Sequence, residues 1–129
     1  MIAAIFLFGS VGTGAELLLM EHTEGVWQNV PLVLVAIGCS GLGVIAIKRG
    51  RAQLRAFQIV MALFLASGLA GLWLHYRGNV EFELELRPGS SGLELFRESM
   101  MGATPALAPG TMILLGAVGL AYSRLIERE

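Results

Sequence analysis

"AFQIVMALFLASGLAGLWLH", residues 56–75, contains no Asp, Glu, Lys or Arg. At 1.5 Å per helical residue its 20 residues reach about 30 Å, the thickness of a bilayer's hydrocarbon core. Backbone in hydrocarbon must satisfy its own hydrogen bonds, and an unbroken apolar run of this length does so as a helix. Reading this stretch as a transmembrane helix governs how the flanking sequence is read.

Three further apolar runs lie on either side of it. Residues 2–20 hold Glu16 as their only charge, and residues 31–47 and 106–122 hold none. Composition agrees: 55% of the 129 residues are hydrophobic and 15% charged, against roughly 25% charged in soluble domains. The expectation is an all-α membrane protein of one domain, residues 1–129, with four transmembrane helices at about 2–20, 31–47, 56–75 and 106–122. The first run has no Lys or Arg ahead of it, unlike a secretory signal, and is expected to be a retained span.

Charge orients the spans. "KRGRAQLR", residues 48–55, and the tail "SRLIERE" together carry Lys48, Arg49, Arg51, Arg55, Arg124 and Arg128, six of the nine cations. Four spans place both termini on the side of this loop, and the positive-inside rule makes that side cytoplasmic. The other side receives Glu21, Glu24, Glu81, Glu83, Glu85, Glu94 and Glu98, with Glu16 close to it, and both histidines, His22 and His75. Trp27, Trp73 and Tyr76 fall on the same edge, where amphipathic rings favour the headgroup zone. A net charge of −1 offers no basic surface for nucleic acid.

The outer loop, residues 77–104, is expected to form a cap. Val80, Phe82, Leu84 and Leu86 alternate with Glu81, Glu83 and Glu85, the period of a half-buried strand. Such a segment needs a partner: the same loop in a second copy, another protein, or the bundle itself. "RPGSSG" then breaks the chain, and Ser91 with Glu94 forms a capping-box pattern for an amphipathic helix, "GLELFRESMMG", with Leu93, Phe96 and Met100 on one face.

Helices in lipid associate through small residues, because lipid tails are as apolar as the side chains themselves. The candidate seams are Gly9, Gly12 and Thr13 in the first span, and Ser67, Gly68 and Gly71 in the third. Gly38 and Gly41 serve the second span, Gly116 and Gly119 the fourth. Glu16 and His75 continue the first and third stripes at i+4, so Glu16 is expected to face protein, about 6 Å inside the outer boundary. Its expected partners are His75, Arg77 or the Ser67 hydroxyl.

An ionisable group inside a membrane is a functional candidate by default. Glu16, His22 and His75 with the outer glutamates Glu81 and Glu83 form one candidate site, for a proton or for a divalent cation such as Zn²⁺ or Mn²⁺. The structural alternative is a buried Glu16 fixing helix register, interfacial histidines bonded to backbone or water, and a solvated glutamate face. A less favoured reading clamps b-type haem between His22 and His75. Enzyme motifs are missing: there is no Gly-rich phosphate loop, no G-x-S-x-G, no HExxH and no Asp at all. The lone Cys39 excludes an internal disulfide.

"EHTEGVWQNVPL", "LHYRGNVEFELE" and "GATPALAPGTM" resemble segments of small four-span bacterial inner-membrane proteins without an assigned function. The resemblance covers most of the chain and implies a bacterial inner-membrane setting, and it carries no residue roles. The combined expectation is a non-enzymatic integral membrane protein without a cofactor, self-associating or serving as a subunit of a larger membrane complex. Cation or proton binding is the alternative.

Overall fold

Apolar runs too long for anything but helix become helix throughout. The computed structural model describes residues 1–21, 23–102, 104 and 106–128, and every regular element among them is α-helical. The five helices are α1 (Ile2–Leu19), α2 (Val26–Ile47), α3 (Arg51–Leu86), α4 (Gly92–Met100) and α5 (Gly110–Ile126). Three of them, α1, α2 and α3, are long and apolar enough to cross a membrane, which marks a membrane protein; α5 is a shorter apolar helix of 17 residues.

α1 packs on α2 and α5, and α3 packs on the same two, so α1 and α3 stand diagonally across a four-helix arrangement. Phe6 bridges that diagonal: its ring lies 5.9 Å from both Phe57 and Phe64 of α3. Ile45, Met61, Met112 and Leu115 close the same core.

Small residues set the α3–α5 spacing. A methyl on Gly68 would sit 2.9 Å from the Ile113 backbone nitrogen and 3.0 Å from the Pro109 carbonyl oxygen, and one on Gly116 would sit 2.8 Å from the Met61 carbonyl oxygen. Gly71 meets the Pro109 ring, and Gly119 meets the Met61 side chain. Backbone rather than flexible side chain limits the approach at Gly68 and Gly116, so these helices are as close as two backbones can lie.

α3 departs most from the expected layout. It runs for 36 residues, about 54 Å, well beyond a 30 Å span. The alternating stretch Val80–Leu86 is its last two turns and not an extended segment. An isolated strand leaves its backbone groups unpaired, whereas a helix already nucleated in the membrane gains one hydrogen bond for each residue added. Glu and Leu, five of the last six residues, also favour helix. The faces are reversed as well: Asn79 and Glu83 are buried, while Phe82, Leu84 and Leu86 are exposed.

The other local signals resolve in similar detail. α2 starts at Val26, ahead of the expected Pro31, because Gln28 Oε1 accepts the Gly25 N–H at 3.2 Å and Asn29 Nδ2 donates to the Gly25 carbonyl at 2.9 Å. α4 forms where expected, but Ser91 makes no side-chain cap bond, so the capping box is not built. Gly92 instead takes φ +59, a turn that suits glycine.

Candidate functional site

The expected site residues separate into two places. On α1 the inward side is Phe6, Ser10, Thr13 and Leu17, flanked by Gly9, whose added methyl would meet Leu115 at 2.8 Å. Gly12 has nothing within 4 Å of that position, and Glu16 is exposed on the same flank as Ile5 and Gly12. The seam therefore passes through Gly9, and the expectation that Gly12 and Glu16 face protein within the chain is corrected: 3.6-residue geometry puts both outside the buried arc. Phe6 sits between Phe57 and Phe64, so Glu16, ten residues further out, comes level with Ser67–Leu74 of α3, below His75.

His75 is half-buried on α3, at the point where that helix leaves the apolar run, and Ser67 is half-buried two turns below it. His22 lies outside the described residues, and with it the haem-clamping pair. Among the described residues, no three of His, Cys, Asp or Glu converge as metal ligands would.

The outer glutamates are held by arginines instead. Arg77 Nε donates to Glu81 at 3.0 Å, one turn along the exposed side of α3. Arg87, just past the end of α3, donates through Nη2 to Glu83 at 2.7 Å and lies 3.6 Å from Glu98 and 3.9 Å from Glu94. One guanidinium thus gathers three carboxylates from α3 and α4. The Glu83 hydrogen bond raises the Arg87 pKa above its ordinary value; the charges of Glu83, Glu98 and Glu94 add to this, and desolvation opposes it.

Asn79, only 2% exposed, is the polar centre of the cap. Its Nδ2 donates to the carbonyls of Ser99 at 2.8 Å and Thr104 at 2.7 Å, and its Oδ1 accepts from Thr104 Oγ1 at 3.0 Å. One amide therefore ties the outer turns of α3 to the end of α4 and to the chain leading toward α5. Gly102 makes room for it: a methyl there would lie 2.8 Å from Asn79 Cγ. The Ser99 hydroxyl, fully buried beside this network, has no hydrogen-bond partner among the described residues.

Below the cap, Trp73, Tyr76 and Phe96 form a chain of ring contacts at 6.4 and 5.9 Å. With Leu69, Leu72 and Met100 they line an apolar groove of about 340 Å³. Trp73 and Trp27 are 62% and 71% exposed, as interface anchors would be.

Chemically the cap is a lock: an amide and a guanidinium fasten a helical hairpin. Comparison with protein-family models, with curated proteins and with solved structures finds no match for the chain.

Proposed function

We propose that the chain is a non-enzymatic, self-associating subunit of a bacterial inner-membrane assembly, and that the outer face of α1 meets a second copy. It crosses the membrane four times, with both termini and the 48–55 loop cytoplasmic and the α3–α4 cap outside. Support for α5 as the fourth span comes from its depth: it touches α3 from Gly71 down to Met61 and α1 at Gly9. Its 17 residues make about 26 Å, a shortfall that local thinning of the bilayer accommodates. The bacterial setting rests on the resemblance of the three quoted segments.

The observation that carries the reading is Glu16. It is the only charge in α1, lies three residues inside its end, and is exposed on the isolated chain. A carboxyl group directed into lipid is costly, and a neighbouring protein surface supplies a polar partner that none of the described residues provides. Gly12, one turn below and open on the same flank, lets a second backbone approach closely. Of the three long apolar helices α1 is the least covered within the chain, only Phe6 and Ser10 being fully buried.

Oxidative crosslinking in native membranes tests this, with Cys39 replaced by alanine. Gly12→Cys should give a disulfide-linked dimer, Ser10→Cys, which faces the core, should give none, and Glu16→Ala added to Gly12→Cys should weaken the dimer band. If Gly12→Cys yields only monomer, the reading is wrong.

A further inference from the structure

The opposite end of the molecule holds a basic cleft of about 390 Å³, lined by Arg49, Arg51, Leu54, Arg55, Ile126 and Glu127. α3 supplies one wall and the end of α5 the other. Gln58 Nε2 fastens them, donating to Glu127 Oε1 at 2.9 Å and to Ser123 Oγ at 3.3 Å.

Two of its cations, Arg51 and Arg55, are left open to an outside anion. Arg77, Arg87 and Arg124 each reach a carboxylate. Arg51 and Arg55, one turn apart on the same side of α3, reach none among the described residues. Among the described residues the carboxylate that lines the cleft is Glu127, and it is engaged elsewhere: one oxygen is bonded to Gln58 and the other lies 3.8 Å from Arg124.

Beneath the guanidinium groups the floor is Leu54 and Ile126, both buried and apolar. The cleft thus joins fixed positive charge to the edge of the apolar bundle, where a lipid phosphate sits above its acyl chains. We infer that this cleft binds the phosphate of an anionic phospholipid headgroup, with Arg51 and Arg55 as its principal ligands. Planar guanidinium forks match phosphate oxygens, and basic pockets between helices on the cytoplasmic side are suited to anionic headgroups. The shared chemistry is a phosphate anion, and the apolar floor favours a lipid over a soluble phosphate.

The test uses full-length protein in nanodiscs and native mass spectrometry. Phosphatidylglycerol should be retained in preference to phosphatidylcholine. Arg51→Gln with Arg55→Gln should cut that preference on the order of thirtyfold, since each cation near an anionic surface is worth about fivefold. Lys48→Gln with Arg128→Gln removes equal charge from the same end at residues that do not line the cleft and should leave it nearly intact. Equal loss in the two double variants would reduce the effect to general surface charge and overturn the inference. Inorganic phosphate added in excess should displace little lipid; if it binds delipidated protein as tightly as phosphatidylglycerol binds, the site is one for soluble phosphate and the lipid assignment fails. Far-ultraviolet circular dichroism checks that each variant folds. Crosslinking at Gly12 is independent of this cleft, so either proposal can fail alone.

Discussion

Asn79 gives the sharpest test of how the cap is held. Replacing it with alanine removes the bonds donated to Ser99 and Thr104 and the bond accepted from the Thr104 hydroxyl. At about 1 kcal/mol net for each buried hydrogen bond, the loss is about 3 kcal/mol. The remaining contact, Thr104 N to Oδ1 at 3.4 Å, is too long to add to this. A loss of that size shifts the equilibrium between docked and open cap by a factor of roughly 150. Hydrogen–deuterium exchange in mild detergent reads it directly: amides in α4 should exchange on the order of a hundredfold faster. Amides of residues 57–68, deep in the bundle and remote from Asn79, should be unchanged. Asn79→Asp is the companion variant, because it preserves shape but turns an oxygen toward two carbonyl oxygens. It should open the cap at least as far as alanine does. The reasoning is refuted if both variants speed exchange in α4 by less than about threefold, roughly 0.6 kcal/mol, or if residues 57–68 change equally.

Two further outcomes are expected. Arg87→Gln should loosen α4 less than either Asn79 variant, because its contacts with Glu94 and Glu98 are long and solvent-exposed; in the parent protein, salt should reproduce part of the effect, and the same exchange measurement decides. Gly68→Ala forces a methyl against the backbone of α5 and should cost about 1–3 kcal/mol, seen as a lower thermal midpoint in detergent, whereas Gly43→Ala on α2 has open space and should leave the midpoint unchanged or slightly raised.

The three helices long and apolar enough to cross a membrane were legible in sequence because lipid imposes a length and a composition that few other contexts share. Gly68, Gly71, Gly116 and Gly119 were legible for a related reason: in a chain of large apolar residues, a glycine stripe leaves few other places for close packing. Glu16 was misplaced by a register error. Gly9 and Gly12 lie three residues apart, about 60° short of a full turn, and one-dimensional spacing does not say which of them meets α5. The strand reading failed because seven alternating residues fit either period, and the deciding fact was continuity with a helix already formed. Asn79 escaped notice for the same reason. Inside an assumed loop an asparagine is an ordinary polar residue, and only on a helix facing α4 does its amide become a fastener. The basic end of the molecule was visible as charge and explained by orientation alone, and the cleft there takes its second wall from the end of α5, about 70 residues away in sequence.

The length of α3 has a consequence for how deep the molecule sits. Between Arg55 and Arg77 lie 21 residues without an acidic or basic charge other than His75, about 32 Å of helix. That is nearly the full hydrocarbon thickness, so sliding the helix by one turn in either direction would draw an arginine into the oil. α3 therefore acts as a depth gauge. The shorter α5, held against it by close backbone approach at Gly68 and Gly116, has its height fixed by α3.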